Sequence, residues 1–535
     1  LLYCSGIMLV LSATIPQAFT EFRWLHSLNP LKFHFIIQFP SILLGFLLII
    51  MGRGIAARVK RAYLPTIFLI VLALLYVLLS DFSFTPVVFL SILLLIILAS
   101  KNELFREQLI YSWEWRTIDG IIIGALSLLY IVIGVYNLPD FPHRRHHFIS
   151  FFLFPSEKIW FSGLLAIIAV SFMIVLFVHF LQGEKKQIGE AFNEEKALKI
   201  LTTYGGNSDS QLIFLKDKRM FAYEKDGEPT VLLQFACFNN KCIVMGDPSG
   251  KKEDFPEAIE AFIEETDRLC YLPVFYETSE EIVMILHEFG YDFIKMGEEA
   301  YVDLNSFTTS GKKMKGTRAV LNRIEREGFT FDVLQPPFST EQMSTFKNIS
   351  DNWLGSRKEK GFSLGFFSED YLQRAPIAVV KNTQEEIVAF ATIMPTYTNN
   401  KVGTIDLMRY DPKKAPSSSM DFLFLHLFAY MKEEHIQWFN LGMAPLSNVG
   451  TSRKSFLQER IAYLVYEFGS PFYSFHGLRE YKSKYATNWV SRYTLYSRDS
   501  WIAYVMIALL IIDNAPVEQT QGRISGLKKW IRRKY

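Results

Sequence analysis

The stretch Gly403-Thr-Ile-Asp-Leu-Met-Arg-Tyr-Asp-Pro-Lys-Lys-Ala-Pro-Ser-Ser-Ser-Met-Asp421 decides how the second half of the chain is read. Residues 404–410 are rich in strand formers and partly alternate. Two prolines and a run of serines break the pattern, and an apolar helix begins near Ser418. Asp406 and Arg409 stand three residues apart, so on a straight strand they point to opposite faces. A kink or bulge after Leu407 is needed to bring both into one site. Beyond Tyr410, the loop places Lys413, Lys414, Ser417 and Ser418 at a helix N-terminus, which suits an anionic or polarised oxygen. An edge strand with surface charges and an ordinary serine cap accounts for this segment equally well.

Working outward, residues 377–380, 387–395 and 404–410 read as successive strands. They are preceded by helices at 313–327, 340–354 and 368–373 and a strand at 330–333. A helix at 418–432, a strand at 437–440 and a helix at 454–463 follow. The segment before this block repeats the layout. It has a helix within 188–204, strands at 211–215, 220–223, 230–238 and 242–245, a helix at 255–269 and a strand at 273–276. A helix at 280–289 and strands at 292–296 and 300–304 complete it. Two α+β units, 184–310 and 311–500, fit ordinary domain sizes. Their order of helices, meander strands, loop, helix and strand resembles a tandem pair of acetyltransferase-like (GNAT) domains. The donor-gripping loop of such a unit is glycine-rich when it holds coenzyme A, because backbone amides must approach the phosphates. Residues 411–419 hold no glycine, which disfavours an acyl-CoA donor. Gly246-Asp-Pro-Ser-Gly250 lacks the phosphate-loop pattern and reads as a plain turn.

Residues 1–183 differ in kind. The chain has 535 residues, is 50% hydrophobic and has a net charge of +2, and its apolar and charged residues are strongly segregated. Apolar runs at 3–19, 34–51, 64–80, 84–100, 118–138 and 159–181 approach the roughly 20 residues that cross a bilayer. The basic loop with Arg53, Arg58, Lys60 and Arg61 orients them and places everything after Lys185 in the cytoplasm. His143-Arg-Arg-His-His147 reads as a basic cluster meeting head groups. The spans hold no row of acids or bases that would make an ion path. The chain starts inside an apolar run without Met, so it is read as lacking an N-terminal part. Residues 501–512 are too short to span and suit a core or interfacial helix, followed by a basic tail. The expected architecture is a multi-pass helical membrane bundle (1–183), a cytosolic tandem GNAT-like pair, and a C-terminal helix and tail (501–535).

Cys4, Cys237, Cys242 and Cys270 form no metal-ligand pattern, and Cys237 and Cys242, which flank a turn, are taken as reduced packing residues. No metal or cofactor is expected. Lys312, Lys313, Lys315, Arg318, Arg323 and Arg326 crowd one helix. Arg453 and Lys454 open another, and Arg479, Lys482 and Lys484 sit among Tyr473, Phe475, Tyr481, Tyr485 and Trp489. Basic clusters interleaved with aromatics suit a nucleic-acid backbone and exposed bases, and docking on anionic lipid is the alternative.

Three runs taken together carry a resemblance: Asp406-Leu-Met-Arg409, Leu441-Gly-Met-Ala-Pro-Leu-Ser-Asn-Val-Gly450, and Phe472-Tyr-Ser-Phe-His-Gly-Leu-Arg-Glu-Tyr-Lys-Ser-Lys-Tyr485 closing on Trp489, Arg492 and Tyr493. The soluble half resembles the aminoacyl-phosphatidylglycerol synthases, the bacterial multiple peptide resistance factor family. Departures are mild: Tyr485 stands where Phe is expected and Asn448 where Gly is common, and no Pro precedes Trp489. The resemblance implies transfer of an aminoacyl group, most often lysyl, from aminoacyl-tRNA to a glycerol hydroxyl of phosphatidylglycerol. The product lowers membrane negative charge and repels cationic antimicrobial peptides.

On that reading Asp406 orients or deprotonates the hydroxyl, or holds the donor's α-amine, and Arg409 pairs with the lipid phosphate. Tyr410, Lys413, Lys414, Ser417, Ser418, Arg453, Lys454 and Arg479 contact substrate. Lys482 and Lys484 steady phosphate or a developing oxyanion. The 312–326 cluster takes the tRNA acceptor stem, and Glu298, Glu299 or Asp303 meet the lysyl ammonium. The partners expected are aminoacyl-tRNA, phosphatidylglycerol, the membrane and further copies of the chain as a homo-oligomer. Two other readings compete: a Fem-like transferase acting on a peptidoglycan precursor, and a transporter or sensor with a cytosolic ligand-binding unit.

Overall fold

In three helices of the first half a proline occupies the third position, where no intrahelical N–H bond is lost. These are α2 (Gln38–Ala56, Pro40), α3 (Tyr63–Ser80, Pro65) and α4 (Phe84–Ala99, Pro86). The structure, a computed structural model, describes residues 1–14, 38–80, 84–136, 157–312, 314–399, 401–468, 475–498 and 500–514. It divides into one unit of Leu1–Gln187 with Glu265–Tyr271 and another of Ile188–Glu264 with Leu272–Tyr535.

The first unit also contains α1 (Leu2–Thr14), α5 (Trp113–Tyr136) and α6 (Glu157–Gln182). Helix α2 packs against both α1 and α6 and buries Phe46, Ile49 and Met51. The outer faces are apolar too: Phe68 is 66% exposed, Ile121 68% and Phe172 69%. Among the described residues two stretches, Trp113–Ile133 and Gly163–Gln182, are long and apolar enough to cross a membrane. Arg53, counted above with a basic loop, lies within α2. There it pairs with Asp119 of α5 at 2.6 Å, and its guanidinium lies 3.7 Å from the Trp115 ring centroid. The His143–His147 cluster lies outside the described residues.

The second unit is built on a 12-stranded sheet ordered β1-β2-β3-β5-β12-β6-β11-β10-β9-β8-β7, with β4 beside β2. Its first part runs α7 (Glu194–Tyr204), β1 (Arg219–Lys225), β2 (Glu228–Phe238), β3 (Lys241–Met245), β4 (Ser249–Gly250), α8 (Phe255–Arg268), β5 (Leu272–Thr278), α9 (Glu280–Glu288) and β6 (Tyr291–Asp303). Its second part runs α10 (Lys315–Arg326), β7 (Thr330–Leu334), α11 (Thr340–Leu354), α12 (Glu369–Leu372), β8 (Ile377–Lys381), β9 (Ile387–Met394), β10 (Val402–Tyr410), α13 (Ser419–Glu433) and β11 (Trp438–Pro445). It closes with α14 (Leu457–Phe468), α15 (Phe475–Ser483), β12 (Asn488–Ser497) and α16 (Ile502–Asp513).

Each part contains one parallel pair, β3 with β5 and β10 with β11, joined by a crossover helix in an otherwise antiparallel sheet. This is the GNAT-like order, repeated. The final strand β12 crosses the expected 310/311 boundary and pairs with both β5 and β6, so the two parts share one sheet. Alternation along β9 sends Phe390 to a core with Phe346, Tyr371, Met394 and Leu407. Ala389 and Ala391 go to another with Phe422, Phe428 and Phe439. Ser339 and Gln342 form a reciprocal capping box that starts α11.

Several local expectations are corrected. Residues 210–215 form a buried 3-10 turn, not a strand, because their apolar side chains are buried on all sides and do not alternate. The two strands expected at 292–304 are one, β6. The helix expected at 454–463 is α14, starting at Leu457. Cys237 and Cys242 are direct cross-strand partners joined as a disulfide; the turn between them lets them face each other across a hairpin, and they are read as reduced only because a cytosolic domain is expected. Helix α16 belongs to the core through Val505, Ala508, Leu509 and Ile512. The basic tail lies outside the described residues.

Candidate active site

Strands β10 and β11 pair in register only from Val402↔Trp438 to Thr404↔Asn440. Beyond that each kinks. Between Ile405 and Met408, β10 gains one residue against β9, and β11 gains one against β6 between Asn440 and Met443. Two bulges at the same level splay a parallel pair apart and open a notch at the strands' C-terminal ends. Thr404 Oγ1 closes the last rung by donating to the Asn440 carbonyl at 3.0 Å.

The β10 bulge turns Asp406 and Arg409 to the same face, as the sequence argument required. They do not pair with each other. Asp406 Oδ1 accepts the Gly365 N–H at 2.8 Å and Oδ2 accepts the Tyr371 hydroxyl at 3.1 Å. Burial raises the Asp406 carboxyl above its usual range, while the Tyr371 and Gly365 bonds and the charges of Lys218 and Arg409 oppose the rise. Arg409 pairs with Glu359 at 2.9 Å and lies 3.9 Å from the Trp353 ring centroid. Its Nε is buried and has no hydrogen-bond partner among the described residues.

The other wall is polar. Asn440 Nδ2 donates to Glu299 at 2.6 Å and to Ser208 at 3.0 Å, while its Oδ1 accepts the Gly442 N–H at 2.7 Å. Glu299 also takes the Arg492 guanidinium, with Nε at 2.7 Å, and the Tyr301 hydroxyl at 3.0 Å. Arg492 reaches Asp247 at 3.6 Å. Lys482 on α15 donates to the Met443 carbonyl at 2.8 Å. Desolvation pushes Asp209 up to about 7, reinforced by the charge of Glu299, and Glu277 up to about 8, reinforced by Asp209 and Glu299. Asp247 is raised chiefly by desolvation. Lys482 is lowered to about 8 by burial, against the pull of Glu299 and Glu277. Burial works against the charge on Arg492 too, but Glu299, Tyr301, Asp247 and Asp209 outweigh it and hold the pKa above the ordinary value. Four carboxyls thus converge with two cations, and two of them are set to hold protons near neutrality. Such an arrangement can receive a primary ammonium.

Of the other expected site residues, Arg479 pairs with Glu298, bonds Ser447 Oγ at 3.2 Å and stacks 3.3 Å from the Trp489 ring centroid. Lys484 faces Asp421 at 3.7 Å. The Tyr485 hydroxyl also bonds Asp421, which gives the departure from Phe a partner. Asn448 adopts φ 55°, the left-handed backbone that Gly or Asn tolerates, and bonds Glu298 at 2.8 Å. Tyr410 packs in the α13 core. Lys413 is exposed, Lys414 pairs with Glu386 at 3.2 Å, and the Ser417 carbonyl accepts from Arg323 at 2.8 Å. Ser418 precedes α13 at φ 69° and makes no side-chain cap bond, so it is not an ordinary cap. Arg453 and Lys454 are exposed ahead of α14. On and before α10, Lys312 and Lys315 are exposed, Arg318 bonds the Gly311 carbonyl at 2.9 Å and Arg326 the Asn322 carbonyl at 3.0 Å. Lys313 and Tyr473 lie outside the described residues.

Residues 198–496 match the family model described as phosphatidylglycerol lysyltransferase, C-terminal. The chain belongs to this family. It is 39% identical over 466 residues to the phosphatidylglycerol lysyltransferase of Bacillus subtilis (strain 168), covering 86% of this chain and 53% of that protein. It is 34% identical over 459 residues to the enzyme of the same name from Staphylococcus aureus (strain COL), again covering 53% of it. The chain therefore spans about half the length of the curated relatives it matches. Among solved structures, L-PGS from Bacillus licheniformis is 47% identical with a TM-score of 0.55, covering 61% of this chain and 99% of that one. The C-terminal domain of a putative lysylphosphatidylglycerol synthetase from Agrobacterium fabrum is 32% identical with a TM-score of 0.53, covering 60% and 96%.

Sequence reasoning missed Asp209, Asp247, Glu277, Gly365 and Tyr371. Asp247 sits in the turn set aside as plain. Asp209 and Glu277 come from distant segments of the first part, and Gly365 and Tyr371 from a loop and the short helix α12, which meet β10 at Asp406.

Proposed function

We propose that this chain transfers an aminoacyl group, lysyl by the family's name, from aminoacyl-tRNA to phosphatidylglycerol at the notch between β10 and β11. The single observation that carries the reading is the pairing of two unlike walls across that notch. On one side are Asp406 and an arginine with an unsatisfied buried Nε, and on the other a carboxyl cluster suited to an ammonium. A glycerol hydroxyl of the lipid attacks the ester carbonyl and its proton leaves for a base. The ribose oxygen departs with a proton as the new ester forms. This exchange of one ester for another is nearly thermoneutral, so alignment and charge placement supply most of the catalysis.

In this reading Asp406, held by Gly365 and Tyr371, keeps unused lone pairs with which to orient the hydroxyl. Arg409 Nε meets the lipid phosphate, and Lys482 steadies the oxyanion from α15. Asp209, Asp247, Glu277 and Glu299 receive the donor's ammonium, which displaces the protons of Asp209 and Glu277. Lys312, Lys315, Arg318, Arg323 and Arg326 remain the surface for the acceptor stem. The apolar exterior of the first unit supports a multi-pass membrane bundle with the second unit on the cytoplasmic side, and the product lowers membrane negative charge. Membranes holding the chain, given phosphatidylglycerol and each charged tRNA in turn, should form a new lipid ester of defined mass with one donor. No ester with any donor would sink the reading.

A further inference from the structure

Helix α14 carries an apolar stripe that stands uncovered among the described residues. Phe456 is 79% exposed, Leu457 72%, Ile461 53% and Leu464 53%. The last three repeat at i, i+4 and i+7 and therefore share one face. The opposite face is seated. Gly450, at φ +64°, lies so close that a Cβ there would sit 2.0 Å from the Glu459 carbonyl oxygen. That contact ties α14 to the end of the 441–450 run, a few residues beyond the notch wall. Three exposed cations, Arg453, Lys454 and Arg460, border the stripe, and none is paired with a carboxylate among the described residues. An apolar stripe bordered by unneutralised cations matches one surface chemistry, the head-group region of an anionic bilayer. There the apolar side chains enter the acyl boundary while the cations meet lipid phosphates.

We infer that α14 is an interfacial helix that seats the second unit on an anionic phospholipid surface and so presents the acceptor lipid to the notch. The presentation step rests on the function proposed above; the seating itself does not. An uncharged protein partner would have no use for the three cations, and a second copy of this face would oppose like charges.

The test uses the full chain with Cys4→Ser and Cys270→Ala, so that Ile461→Cys carries a single nitroxide. Oxygen and nickel-chelate accessibility are read in phosphatidylglycerol vesicles, phosphatidylcholine vesicles and detergent. The expected result is a label buried from the chelate and open to oxygen in phosphatidylglycerol, and less so in phosphatidylcholine. A label equally open to the chelate in all three, or equally shielded in all three as if covered by protein, overturns the inference. Separately, Leu457→Gln with Ile461→Gln and Leu464→Gln should lower transfer to vesicle phosphatidylglycerol by roughly tenfold or more. Transfer to detergent-dispersed phosphatidylglycerol should stay within about twofold, which also shows that the variant folds. Equal transfer in both formats contradicts the presentation role. If the unaltered chain transfers nothing in either, the function fails while the label still decides the seating.

Discussion

Gly365 and Asp406 fit one another with no room to spare: the glycine N–H donates to Oδ1 at 2.8 Å, and a Cβ on Gly365 would lie 1.7 Å from Oδ2. Backbone on one side and a bulged strand on the other leave the carboxylate nowhere to retreat. Gly365→Ala should therefore displace Asp406 without touching substrate. A misplacement near 1 Å costs on the order of 10²-fold in rate. Single-turnover lysyl transfer should fall by about that factor, and an alanine variant with full activity would show that the position of Asp406 is immaterial.

Asp406→Asn separates chemistry from folding. The amide oxygen can still accept from Gly365, and Tyr371 retains Met394 sulfur at 3.0 Å as an alternative acceptor. Because burial raises the Asp406 pKa, the folded state favours its neutral form. A neutral isostere should leave Tm unchanged or slightly higher at neutral pH while transfer drops by about 10²-fold or more. Paired melting and transfer assays check both halves.

Glu277 and Asp209 make stability depend on pH. Their folded pKa values, about 8 and about 7, lie above the unfolded carboxyl range. The stabilisation they carry is present below that unfolded range and is lost as pH rises through about 7 to 8. Thermal melts from pH 5 to 8.5 should show Tm declining, and Glu277→Gln should flatten the decline. Binding an ammonium should release these protons, so lysine amide affinity should rise over the same interval. An affinity flat with pH would separate the cluster from the donor.

Lys482, lowered to about 8, must be cationic to steady an oxyanion. Transfer should then fall on the basic side with a midpoint near 8. Lys482→Arg, charged throughout, should remove that limb even if its rate is lower. A basic limb unchanged in Lys482→Arg would assign it elsewhere.

Asn440 joins both sides of the β11 bulge. Asn440→Ala strands the Gly442 N–H and removes a bond from Glu299, at a cost of about 1–3 kcal/mol of stability. Denaturant melts should show this loss with an unchanged m-value.

The sequence displayed the strand pattern, the crossover helices and the three runs that mark the family, because these are local and periodic. It also specified that Asp406 and Arg409 need a bulge, though not that one exists, since a bulge is set by register with β9. Arg409 was legible as an anion handle, but Glu359 and Trp353 as its neighbours were not. The ammonium-binding cluster was least legible. Its members come from the residue before a 3-10 turn, a loop after β3, the end of β5 and β6, and β12 supplies Arg492 by inserting between β5 and β6. No spacing rule connects such distant segments. Charge counting on α10 and near Ser418 found surface residues, several of which hold neighbouring carbonyls.

A lysyl-transfer assay with the full chain in phosphatidylglycerol vesicles, reading the extracted lipid by mass, decides whether Asp406 serves ester exchange at this notch. The unaltered chain should form a lysyl ester of phosphatidylglycerol, and a folded Asp406→Asn variant should lose it by about 10²-fold or more. An unaltered chain that forms no ester, or a variant that forms it at the full rate, would rule out acyl transfer through Asp406.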